Sequence, residues 1–200
     1  MPRLAGQIDP TKTEAILDAA ALVLAERGLS APMEAIARQA GVSKQTLYNR
    51  YRCKAELVRA LVERRVEAMT APLREPGADE HPQEALAAYA RALLEAVTRT
   101  YSLLRVTIQS AGEMPDLAKV VFDTGPLRSR REVASFLEAE TRIGRLAVDD
   151  PMQAAEFFAG MVIGHRQTRS LLGLDAPLSA EEIDRVANAA AERFLKAYAP

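Results

Sequence analysis

Tryptophan is absent from this chain of 200 residues, and cysteine occurs once, as Cys53. A single thiol excludes an internal disulfide and fits a reducing compartment. The two histidines, His81 and His165, lie far apart in the sequence, so there is no zinc-site spacing and no Cys-His pair. Neither a phosphate-cradling glycine loop nor a nucleophile elbow occurs, and the adjacent acids Asp149 and Asp150 are accounted for by helix capping. The expectation is a protein with no catalytic residues, metal or cofactor. An excess of either charge is missing too: 26 Lys and Arg stand against 27 Asp and Glu, which excludes coating nucleic acid through bulk charge. The apolar run at 19–25 is short and flanked by Asp18 and Glu26, unlike a membrane span or a secretory signal. A soluble, cytoplasmic protein is expected.

No stretch alternates with a period of two, whereas apolar residues, 48% with the aromatic and sulfur side chains counted, recur at helical spacing almost throughout. The fold expected is all-α. Thr11 and Glu14 read as a capping box opening a first helix that Gly28 ends. Pro32 suits the first turn of a short second helix ended by Gly41, and Ser43 caps a third through Tyr51. Two short helices around a glycine-containing turn form a helix-turn-helix pattern. A fourth helix spans 54–70 and stops before Pro72. Beyond it, separate helices are expected around 86–101 and 103–111, then 114–123, with "TGP" at 124–126 breaking the chain before another helix to Gly144. Asp150 opens a helix to about Leu172, and Ser179 with Glu182 forms a capping box opening the last. This divides the chain into 1–54, a connecting helix and hinge at 55–75, and a larger helical bundle at 76–200.

One local absence is more informative. From Ala40 to Lys54 the chain has no acid but carries Lys44, Arg50, Arg52 and Lys54, and the first 54 residues are net +3 while the remainder is net −4. On the third helix, Leu47 and Tyr51 share an inner face above Val42, leaving Lys44, Gln45, Tyr48, Asn49 and Arg52 opposite. Amide side chains can pair with adenine in the major groove, Lys can reach guanine or phosphate, and Tyr48 can lie along the sugar-phosphate backbone. Cys53, between Arg52 and Lys54, also raises a redox reading.

The stretch "AIARQAGVSKQTLYNRYRCKAELVRAL", preceded by "ILDAA" and "LAERG", resembles the DNA-binding domain of the TetR family of bacterial transcriptional regulators. The segments "DDPMQAAEFFAGMVIGHRQTRSLLGL" and "SAEEIDRVANAAAERFLKAY" are similar to its C-terminal part. The resemblance implies a recognition helix contacting double-stranded DNA through Lys44, Gln45, Thr46, Tyr48 and Asn49, with Ser43 and Lys54 on phosphates. The chain departs from the family pattern in a loop one residue shorter between Gly28 and Ile36, and in "SAPME" where a hydroxyl cap is usual. The resemblance also implies a homodimer built by the last two helices, for which the candidates are Phe158, Val162, Ile183, Val186, Ala187, Ala190 and Phe194. It further implies release from a palindromic operator by a small effector held in the bundle. Candidate effector contacts of mixed character are Tyr89, Tyr101, Thr107, Met114, Phe122, Phe157, Met161 and His165. A helical small-molecule-binding protein or enzyme with an idle helix-turn-helix, and a regulator without an effector, are the competing readings.

Overall fold

The computed structural model describes residues 10–75, 77, 78, 80–174 and 178–200, with all side chains among them except those of 98–103 and 106. Every regular element among the described residues is helical: α1 (Pro10–Arg27), α2 (Met33–Gln39), α3 (Lys44–Arg50), α4 (Lys54–Thr70), α5 (Pro82–Ser110), α6 (Pro115–Phe122), α7 (Arg128–Arg142), α8 (Pro151–Ile163), α9 (Arg166–Leu171) and α10 (Ala180–Ala197). None is long and apolar enough to cross a membrane.

Several boundaries differ from the sequence reading, each for a local reason. Helix α1 starts at Pro10, so Thr11 is inside the first turn, and proline takes the position where its missing N–H costs nothing. Pro32 precedes α2 as its N-cap and supplies no side-chain hydrogen bond. The two helices expected between 86 and 111 are one, α5, because no glycine or proline interrupts the chain between Pro82 and Ser110. The "TGP" break is instead a π-helical turn, Asp123–Leu127, that runs directly into α7. Pro126 would clash with the carbonyl four residues back in an α-helix, and the wider π turn gives its ring room. The helix opened by Asp150 ends at Ile163, nine residues before the expected Leu172, because Gly164 takes a φ of 54°, a region side chains rarely enter.

Other ends match their signals. Asp150 Oδ1 accepts from the Met152 and Gln153 amides at 3.0 Å each. Ser179 Oγ accepts from the Glu182 amide at 3.2 Å, while Glu182 Oε2 accepts from the Ser179 amide at 2.9 Å.

The chain forms two compact units, and the division falls within α4, within α5 and before the last residue of α6. One comprises the described residues to Val62 together with Ser102–Val121; the other comprises Glu63–Tyr101 and Phe122–Pro200. In the first, Ile16, Leu24, Leu29, Ile36, Leu47, Leu57 and Leu61 are fully buried. In the second, Tyr89, Phe158 and Phe194 fill the centre, with ring centroids 6.1 Å apart for Tyr89 and Phe158 and 4.9 Å for Phe158 and Phe194. Burying each such side chain is worth about 1.5–3 kcal/mol. Two of the polar groups taken inside are paired: Tyr89 Oη lies 2.7 Å from Ser129 Oγ, and the buried Glu140 accepts two bonds from Arg145 at 2.7 and 3.2 Å, whereas the buried Thr141 Oγ1 has no hydrogen-bond partner among the described residues. Desolvation raises the Tyr89 phenol pKa, keeping it neutral there.

Candidate nucleic-acid interface

Seven residues are too few for a helix to persist alone, so α3 must be held from outside. Its start is fixed by Ser43, whose Oγ accepts from the Thr46 amide at 3.0 Å. The turn before it is closed by Val42 N–H donating to the Ala37 carbonyl at 3.0 Å. Behind it, Leu47 is fully buried and Tyr51 nearly so. With the inner face anchored, rotation of the helix would expose Leu47, so the direction of the outer face is set by packing.

On that outer face Lys44, Gln45, Tyr48 and Asn49 are exposed, Tyr48 to 39%, and Thr46 is half-buried. Gln45 Nε2 donates to Asn49 Oδ1 at 2.6 Å, one helical turn away. The pair holds both amides in one orientation and leaves the Gln45 carbonyl, its second N–H and the Asn49 NH2 group available to a base edge. The Ser43 and Thr46 hydroxyls lie 2.8 Å apart at the helix start.

The sequence reading of an acid-free surface requires correction. No acid occurs within 40–54, yet α2 brings Glu34 Oε1 to 3.3 Å from Lys44 Nζ. The Glu34 carboxyl sits below its ordinary pKa, chiefly through a backbone hydrogen bond at its own position and next through Lys44. The signal was present in "SAPME": where a hydroxyl cap is usual, an acid occupies the first turn of α2. At the other end of the interface, Lys54 Nζ donates to the Leu29 carbonyl at 2.8 Å, and partial burial lowers its pKa. That bond ties the α1–α2 connection to the start of α4 and leaves two of the three ammonium donors. Arg52 and Cys53 are exposed, and Glu56 Oε2, in the first turn of α4, reaches back to accept from the Arg52 amide at 2.7 Å.

The effector candidates do not converge. Tyr89 is core, Thr107 is buried in the first unit, and Met114 is half-buried there. Phe157 and Met161 project outward from α8, and His165 is exposed in the break between α8 and α9, instead of lying on one continuous helix. The Tyr101 side chain lies outside the described residues. Phe122 lines an open cleft of about 350 Å³ in the second unit, with Pro126, Leu127 and Arg130 on one side and Glu156, Ala159, Ile163 and Gln167 on the other. The sequence offered no sign of this cleft, because it depends on the π-helical turn and on the chain break at Gly164.

The interface candidates divide similarly. Phe158, Val162, Ala187 and Phe194 are at most 1% exposed within one chain, so they cannot present surface to a second copy; Ala190 is nearly buried. Ile183 and Val186 are half-buried. The outward apolar surface is instead Phe157, 55% exposed, and Met161, 44% exposed, the latter bordering a groove with Val186, Ala189 and Ala190.

A packed helix-turn-helix presenting an amide-and-cation face, attached to a separate helical bundle, defines a DNA-binding regulator. Residues 16–61 match the model of bacterial regulatory proteins of the tetR family, and residues 84–200 match the AefR-like transcriptional repressor C-terminal domain. The chain belongs to the TetR family of transcriptional regulators. Among solved structures it is similar to the flavonoid-responsive regulator FrrA, with 33% identity, 96% of this chain and 99% of that one covered, and a TM-score of 0.71. A putative TetR-family regulator from Mesorhizobium loti MAFF303099 aligns at 27% identity and TM-score 0.75, covering 96% and 98% of the two chains. A TetR regulator from Agrobacterium tumefaciens aligns at 25% and 0.73, covering 96% of each. A comparison with curated proteins gives no match.

Proposed function

We propose that the protein is a homodimeric cytoplasmic repressor that grips a palindromic operator through α3 and lets go when a small molecule occupies the bundle. Residues 1–54 read DNA in this reading, 55–75 connect, and 76–200 dimerise and receive the effector. The observation that carries it is the outward set Lys44, Gln45, Tyr48 and Asn49 on a helix pinned from behind by Leu47. Gln45 and Asn49 read base edges, while Ser43, Thr46, Tyr48 and the remaining donors of Lys54 engage the backbone. Two-fold symmetry sets the recognition helices one DNA turn, roughly 34–36 Å, or a multiple of it, apart. The exposed Phe157 and Met161, the latter beside Val186 and Ala190 of α10 in a groove edged by Arg166, Arg185 and Arg193, supply the apolar centre of the dimer contact.

The effector reading is supported by the cleft at Phe122, which joins apolar walls to Arg130, Glu156 and Gln167. Because FrrA is flavonoid-responsive and 33% identical, planar polyphenols are the first compounds to try. Selection of bound duplexes from a random pool, at one fixed salt concentration, tests the core of the proposal. The native protein is expected to enrich a palindrome and the Lys44→Ala/Tyr48→Ala variant none; no enrichment at micromolar protein overturns it.

A further inference from the structure

Glu34, an acid beside the outer face of α3, is a feature that a DNA-binding role leaves unexplained. Its carboxylate stands 3.3 Å from the Lys44 ammonium, and both side chains are open to solvent, at 36% and 68% exposure. An exposed pair of this kind adds little to folding. Its position has a different consequence. Duplex DNA is a dense row of phosphates, and a cation that neutralises one of them releases a condensed counterion. A Lys44 already paired with Glu34 must leave that partner, or bring a second anion up to the phosphate with it. The start of α2 accentuates this: its N-cap is Pro32, with no side-chain hydrogen bond, and the first turn holds Glu34 instead of a group that could donate to phosphate.

We infer that Glu34 limits the affinity of this interface for DNA by competing with phosphate for Lys44, holding down sequence-independent binding. The inference rests on the DNA-binding reading above. It assigns to Glu34 a role in specificity: with this charge neutralised in advance, more of the remaining affinity must come from the base contacts of Gln45 and Asn49.

The test measures binding of the native protein, Glu34→Gln, Lys44→Ala and the double variant to a scrambled duplex, at two salt concentrations, with the selected operator alongside. Glu34→Gln is expected to tighten binding to the scrambled duplex by about two- to five-fold at low salt, the fold-change equivalent of one exposed ion pair. It should also steepen the salt dependence by up to about one unit of log K per log salt. In the Lys44→Ala background the same substitution should change neither quantity. Glu34→Ala should act in the same direction as Glu34→Gln, which guards against an effect peculiar to one replacement. Unchanged or weaker binding overturns the inference, as does tightening that persists without Lys44. If the native protein retains no duplex at all, the DNA-binding reading itself falls and takes this inference with it. That outcome appears in the native measurement, whereas the others leave native binding intact.

Discussion

Helix α3 and the α8–α10 pair both show a clean division of residue types along the sequence, yet only in α3 does that division identify the outer face. In α3 the apolar minority, Leu47 with Tyr51 just beyond the helix, is core, while Lys44, Gln45, Tyr48 and Asn49 are exposed and Thr46 and Arg50 half-buried. In α8 and α10 the apolar residues occupy more than one face, and the structure sends neighbours in opposite directions. Phe158 is fully buried against Tyr89 and Phe194, while Phe157 is 55% exposed. A polar face can only be solvent or a polar partner, whereas an apolar face can be covered by the same chain or by another. Periodicity specifies the stripe and leaves its cover open.

The sharpest way to break this comparison is to truncate the two adjacent phenylalanines separately. Phe158→Ala should destabilise the protein by about 3–5 kcal/mol, since it opens a cavity among the aromatic rings of the second unit. Phe157→Ala should alter monomer stability by no more than about 0.5 kcal/mol, as expected for a surface position, and act on self-association instead. Denaturant melts give the first quantity and sedimentation equilibrium the second. Equal destabilisation by both would show that α8 does not have the orientation described.

The outer face of α3 is the next target. Asn49→Ala should cost about 1–3 kcal/mol of discrimination at one operator position, read by binding to single-base variants of the selected duplex. Lys44→Ala should weaken binding nearly uniformly across sequences and reduce the salt slope by about one unit. A uniform loss for Asn49→Ala would mean that it positions the protein without reading sequence.

Legibility follows the range of the interactions involved. Caps were readable because Ser43, Asp150 and Ser179 each act within three residues of themselves. The DNA face was readable because a seven-residue helix has room for only one inner row. Glu34 was not placed beside Lys44, since their approach depends on how α2 and α3 cross. The π-helical turn escaped notice because "TGP" is an ordinary breaker signal, and only the continuing packing of α7 shows that the chain keeps turning. The end of α8 at Gly164 was missed for a related reason: an isolated glycine in an apolar helix is tolerated, and its φ of 54° is decided by the connection to α9.

The smallest effects expected lie at the start of α10, where the polar chemistry is again local. Ser179→Ala removes the hydroxyl that accepts from the Glu182 amide and should cost about 0.5–2 kcal/mol, measured by thermal or denaturant unfolding. Glu182 adds a part that depends on pH. Its carboxyl lies below the ordinary value, first because it accepts from the Ser179 backbone amide, then through the Ser179 side chain, with smaller help from Arg185 and Arg166. A carboxyl whose pKa is depressed by folding contributes stability that is present above its unfolded pKa, about 4.3, and lost as pH falls through the lower folded value. Glu182→Gln keeps a side chain able to accept from the same amide but removes the charge. The native protein should therefore melt slightly above Glu182→Gln at neutral pH, and the difference should close as the pH drops below the ordinary carboxylate range. The cost of Ser179→Ala should persist there in part, because the hydroxyl accepts its bond whatever the state of the carboxyl. A Glu182→Gln difference that stayed constant into acid would show that the charge contributes nothing and that shape alone opens the helix.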